Sequence, residues 1–112
     1  MRQKEPIQYI FGHTLWNGLD LSVTPATLIP RPETAELVDY VLHSTQEVAT
    51  RPLRVLDIGT GSGCIAIALK KARPHWEVYG ADISEEALTV AKHNAEHNRA
   101  EVQFFRKDIL SD

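Results

Sequence analysis

From Leu53 onward the apolar residues of this chain change their spacing repeatedly, and that alternation limits the fold more than any other feature. LRVLDI, residues 53–58, reads as a short buried strand bounded by glycines. From Ser62, SGCIAIALKKA reads as a helix that Arg73-Pro74 ends. WEVYGADI, residues 76–83, reads as a second strand. Ser84 then offers an N-cap with Glu85 and Glu86 in the first turn, and the helix that follows carries Ala87, Leu88, Ala91 and Ala95 on one face. Residues 101–107 form a third strand that ends at Asp108. Strand, helix, strand, helix, strand means parallel strands joined by right-handed crossovers, so the fold class is α/β.

The residues before this unit have other patterns. In LWNGLDLSV, residues 15–23, Leu19, Leu21 and Val23 alternate with polar residues, and Asn17-Gly18 suits a tight hairpin turn. TPATLIPRPET then holds Pro25, Pro30 and Pro32, which keep the chain extended until Pro32 can open a helix. Glu33 and Glu36 fall near that helix's positive end, and Leu37, Val38, Val41, Leu42 and Val48 are expected on its apolar face. The division expected is an extended segment with a β-hairpin over residues 1–30 and an α/β unit over residues 31–112.

The glycines of LDIGTGSGCIAIAL (residues 56–69) stand where such a sheet binds ligands, at the carboxyl end of its first strand. Glycine there lets the backbone touch a ligand with no Cβ in the way, while amides at a helix start face it. Asp82 ends the second strand, where a carboxylate can accept hydrogen bonds from two ribose hydroxyls. Together these features read as a nucleoside site. A nicotinamide or flavin fold would want G-x-G-x-x-G, and the third glycine of that pattern would fall at Cys64. The spacing present is D-x-G-x-G-x-G, beginning at Asp57. A glycine-rich βα turn with no ligand is the plainer alternative.

That spacing resembles the first motif of class I S-adenosylmethionine-dependent methyltransferases. QYIFG (residues 8–12), the Asn17-Gly18 hairpin, LIPRPET (residues 28–34), the glycine segment, ADIS (residues 81–84) and the Asn94-Ala95 pair occur in that order. The series is similar, over nearly the whole chain, to the glutamine-N5 methyltransferases of translation release factors, the PrmC/HemK family. IPRPET is its specific part, because the glycine motif alone occurs in many methyltransferases. The resemblance implies a β-hairpin and helix followed by the first half, βαβαβ, of a Rossmann-like sheet, with residues 31–112 a partial S-adenosylmethionine-binding domain. It implies that Gly59, Thr60, Gly61, Ser62 and Gly63 lie along the cofactor and that Asp82 binds its ribose. It also implies that Asp108 and Ile109 flank the adenine, and that Glu33 and Thr34 belong to a segment covering the active site. The activity implied is transfer of a methyl group, by in-line displacement, to the side-chain amide of a glutamine in a peptide chain release factor. That factor would be the partner of the full-length enzyme.

Two departures qualify this. The family usually continues RPETE, and here Ala35 stands at the fifth position. The acceptor motif Asn-Pro-Pro-Tyr and the helical N-terminal domain of the family are not in these 112 residues, so the sequence reads as a middle piece and no residue is assigned a catalytic role. This chain alone is expected to be inactive in methylation. A methyltransferase acting on an amino group of a nucleic-acid base, and a non-catalytic S-adenosylmethionine-binding fragment, remain as alternatives.

Other features exclude or restrict. A formal charge of −3 gives no basic field, which disfavours a nucleic-acid partner. No apolar run approaches the roughly 20 residues needed to span a bilayer, and MRQKEPIQYIFG has no signal core, so no membrane association and a cytoplasmic location are expected. Cys64 reads as a small buried packing residue rather than a nucleophile. His93 and His97 are four apart but lie off the apolar face, which suits solvent and not a metal. Phe104 and Phe105 should pack one in each layer, and Trp16 within the hairpin. The segment 53–58 is apolar enough for a central strand. With no fourth strand beside it, self-association through that uncovered edge, or a loosely packed monomer, is expected.

Overall fold

A computed structural model of the chain describes residues 13–24, 27 and 31–108. Strands β1 (His13–Trp16) and β2 (Leu19–Ser22) form the hairpin, paired from His13↔Ser22 to Trp16↔Leu19. Asn17 and Gly18 turn it with φ of 51° and 78°, both left-handed, as the Asn-Gly pair requires. Leu19, Leu21 and Val23 are buried, so the period-two pattern marks the inner face. Trp16 is buried beside them, and its indole Nε1–H donates to the Arg31 carbonyl at 3.0 Å.

Helix α1 (Pro32–Ser44) begins with Pro32 and Glu33 in its first turn and ends at Thr45, whose hydroxyl donates to the Val41 carbonyl. Its inner face is narrower than the sequence suggests. Val38 is buried, and Ala35, Val41 and Leu42 pack against the core, but Leu37 is 49% exposed. At about 100° per residue, Leu37 lies a quarter-turn and more off the centre of that arc. Val48 belongs to a separate 3₁₀ turn (Gln46–Val48) beyond Thr45 and not to the helix face.

The second sheet is parallel, with strands β3 (Arg54–Ile58), β4 (Glu77–Asp82) and β5 (Val102–Arg106) in the order β3-β4-β5. Helices α2 (Cys64–Ala72) and α3 (Glu85–His97) make the crossovers. Ser84 caps α3 as expected, its Oγ accepting from the Ala87 N–H at 3.1 Å. The core gathers Ala66, Ile67 and Leu69 of α2, Ala95 of α3, Val78 of β4, the hairpin residues Trp16, Leu19 and Leu21, and Val38 of α1, with Val55 and Phe104 against it.

All of this lies on one face of the sheet. The reading of segment 53–58 as a buried strand is therefore corrected. Among the described residues β3 is an edge strand whose Leu56 and Ile58 are 50% and 56% exposed, while Val55 and Asp57 turn toward the helices. Both crossovers run in the same direction along the sheet, so right-handedness puts both helices on one side. Phe105 is likewise exposed on the open face, whereas Phe104 packs inward. No helix among the described residues is long and apolar enough to cross a membrane.

Candidate functional site

The turn between β3 and α2 is built on positive φ: 72° at Gly59, 55° at Gly61 and 83° at Gly63. Side chains rarely adopt that region, so the glycines are required by backbone geometry. They differ in their surroundings. Among the described residues a Cβ added at Gly59 or Gly61 would meet nothing within 4 Å, whereas one at Gly63 would lie 3.1 to 3.3 Å from Ala91, Phe104 and Ile67. Gly59 and Gly61 therefore border open space, and Gly63 lets α2 settle on α3 and the sheet.

The residues between the glycines face inward. Thr60 and Ser62 are buried. The Thr60 hydroxyl donates to Asp57 Oδ2 at 2.8 Å, and the Gly59 and Thr60 N–H groups both donate to the Ala81 carbonyl of β4. The Gly63 N–H closes the turn on the Thr60 carbonyl at 2.8 Å. Burial pushes the Asp57 carboxyl above its ordinary value of 3.8; the Thr60 hydroxyl and the Ala66 backbone N–H pull it back, and the neighbouring Asp82 raises it again.

Asp82 ties the loop to its neighbour. Its Oδ2 accepts from the Gly61 N–H at 3.0 Å and its Oδ1 from the Ser84 N–H at 2.9 Å. One carboxylate thus fixes both turns at the carboxyl edge of β3 and β4. The Lys107 N–H donates to the Asp82 carbonyl at 3.0 Å, which brings the half-buried Asp108 to the same edge. Ile109 lies outside the described residues, as do residues 8–12 and 28–30. Among the described residues Glu33 pairs with Arg31 at 4.0 Å and the Thr34 N–H donates to the Arg31 carbonyl, and no described hydrogen bond or ion pair joins either of them to the loop.

Cys64 opens α2 but is buried, and burial raises its thiol above the ordinary 9.0 although the Ser62 side chain pulls it down. The neutral thiol is a packing group, not a nucleophile. His93 and His97 are exposed, with stacked rings. The surface grooves lined by Lys70, Glu77 and Tyr79, and by Lys92, Glu96 and Arg99, open near the amino ends of the strands. A parallel sheet seats its ligand at the other end, where the glycine loop is.

Two further residues shape the site. Gly80 of β4 leaves room for both Phe104 and Thr60; a Cβ there would come within 2.6 Å of the Phe104 ring and 2.8 Å of Thr60 Oγ1. A lone glycine inside a strand is the signal for such an approach. Asn94 of α3 is fully buried and donates to the Ser62 carbonyl at 2.8 Å. Its place three residues after Ala91, on the apolar arc, marks it out.

A parallel βαβαβ sheet with a glycine turn after its first strand and an acid at the end of its second is a Rossmann-like, nucleoside-binding arrangement. Solved structures share this fold. The chain superposes on Pyrococcus abyssi tRNA (uracil-54, C5)-methyltransferase, solved with S-adenosyl-L-homocysteine, with a TM-score of 0.67 and 23% identity, covering 86% of this chain and 23% of that one. It superposes on a ribosomal protein L11 methylase from Lactobacillus delbrueckii subsp. bulgaricus with a TM-score of 0.60 and 32% identity, over 73% of this chain and 41% of that one. Residues 39–112 match the family model of the methyltransferase small domain, and the chain belongs to that family. Among curated relatives, the release factor glutamine methyltransferase of Lactococcus lactis is 49% identical over 98% of this chain and 40% of its own length. That of Bacteroides thetaiotaomicron is 50% identical over 99% of this chain and 38% of its own length. The chain thus spans about two-fifths of the relatives it matches.

Proposed function

We propose that the glycine loop and Asp82 seat S-adenosylmethionine, and that the chain is the cofactor-binding part of a protein methyltransferase acting on a glutamine side-chain amide of peptide chain release factors. The observation that carries this reading is the Asp82 carboxylate, held by two backbone N–H groups beside the open space over Gly59 and Gly61. Each of its oxygens accepts one of those N–H groups and has a further lone pair to offer a ribose hydroxyl. The residues fit the group: the loop has no Cβ over the opening, and the acid is held in place. When bound, the cofactor supplies an activated methyl group.

In this reading Gly59 to Gly63 give backbone contact, Asp82 orients the ribose, and Asp108 with Ile109 flanks the adenine. Glu33 and Thr34 belong to the segment that covers the site. No residue of this chain is assigned to hold the acceptor amide. The identity to curated relatives that carry the release factor name supports the substrate.

Titration calorimetry with S-adenosylhomocysteine tests the seat, with saturable binding expected and none overturning it. The substrate is tested by giving the gene's full product tritiated cofactor with a release factor or with tRNA. Label in the factor, lost when its acceptor glutamine is replaced, is expected. Label in RNA alone would overturn the assignment.

A further inference from the structure

The hairpin is joined to α3 by two side-chain amides that imitate a strand. Asn94 Oδ1 accepts from the Ser22 N–H at 2.6 Å, and its Nδ2 donates to the Ser22 carbonyl at 3.0 Å. One helical turn later Asn98 repeats the pair at Asp20, accepting from the N–H at 3.2 Å and donating to the carbonyl at 3.0 Å. Two residues along a strand advance about 6.8 Å and four along a helix about 6 Å. The two asparagines therefore meet alternate residues of β2 and satisfy the backbone groups on the edge that β1 leaves open.

Asn94 differs from Asn98 in one bond. The second hydrogen of its amide goes to the Ser62 carbonyl, inside the glycine loop. All three hydrogen-bonding positions it fills are backbone groups of two separate segments, and the side chain is fully buried. The hairpin in turn holds the start of α1 through Trp16 Nε1 and the Arg31 carbonyl. We propose that Asn94 is a positioning residue that joins the hairpin and the glycine loop into one cooperative unit, so that filling the loop orders the hairpin and the chain at Arg31. What the coupling serves rests on the reading of the loop as the nucleoside seat; the coupling itself does not.

A double-mutant cycle read by amide hydrogen exchange tests it without ligand. Asn98→Ala removes only hairpin and helix contacts. It should speed exchange in β2 and also, by about fivefold or more, at the Gly63 N–H, whose bond to the Thr60 carbonyl lies within the loop. In an Asn94→Ala background, Asn98→Ala should add nothing at Gly63. A Gly63 amide indifferent to Asn98→Ala, or equally responsive in both backgrounds, overturns the coupling. If Asn94→Ala does not fold, the Asn98→Ala arm alone decides. With S-adenosylhomocysteine at saturation, the Ser22 N–H of the parent should slow by about fivefold or more. Binding with no response at Ser22 overturns the coupling and leaves the seat standing. Failure to bind counts against the seat, and the ligand-free cycle still decides the coupling.

Discussion

Asp82 and Asp57 lie a strand apart and do different work. Asp82 →Ala would remove the acceptor for Gly61 and Ser84 as well as the proposed ribose contact. Hydrogen bonds to a charged group are worth roughly 1.5–3 kcal/mol, so affinity for S-adenosylhomocysteine should fall by about tenfold or more. Calorimetry checks this, with circular dichroism confirming the fold; unchanged affinity would remove Asp82 from the seat. Asp57 acts on stability. Its folded carboxyl titrates above 3.8, with burial the largest cause, so between 3.8 and that raised value the folded state binds more protons than the unfolded one. Stability from this group is present at low pH and falls as pH rises through the window. In urea unfolding from pH 4 to 7, the parent should lose ground relative to Asp57→Asn. A gap constant with pH would show that the carboxyl titrates alike folded and unfolded.

At the scale of elements, the parts that repeat a simple pattern were legible. Ser84 with Glu85 and Glu86 announced α3, and Asn17-Gly18 announced the hairpin turn. Replacing Ser84 by Ala should cost about 1 kcal/mol and roughly 4–6 °C in Tm, because the Ala87 N–H loses its acceptor. A melting curve indistinguishable from the parent would show that the cap bond is not holding the helix start. What stayed hidden depended on partners distant in sequence. Leu37 looked like a core residue because the helix pattern gives the arc but not its width. That Gly63 also leaves room for Ala91 of α3, Phe104 of β5 and Ile67 of α2 could not be read from the loop spacing. Asn94 stood out only as part of a motif and Asn98 not at all, because a polar residue on or beside an apolar arc says that a partner exists and not which one. Here the partner is the hairpin more than 70 residues earlier.

On the scale of the whole molecule, one face and one edge of the parallel sheet stand apart from the core. The register aligns Leu56 with Tyr79 and Gln103, and Ile58 with Ala81 and Phe105, across the face that the helices leave open. Among the described residues β3 ends the sheet, and the hairpin packs mainly against α2 and α3. β3 has no proline, and Arg54 is its only charge on the open face, so the usual protections of an edge strand are sparse. Two copies are expected to pair through β3, shielding Leu56 and Ile58. The contact is small, below about 1,200 Å² in total, so the association should be on the order of micromolar or weaker. Sedimentation velocity across a concentration series should show a monomer giving way to a dimer, and exchange of the β3 amides should slow as the dimer forms. Leu56→Lys places a charge on the shielded face and should return the protein to a monomer with unchanged circular dichroism. A parent that stays monomeric at several hundred micromolar, with β3 amides strongly protected, would mean that this edge is already covered and that the exposed leucine and isoleucine do not drive association.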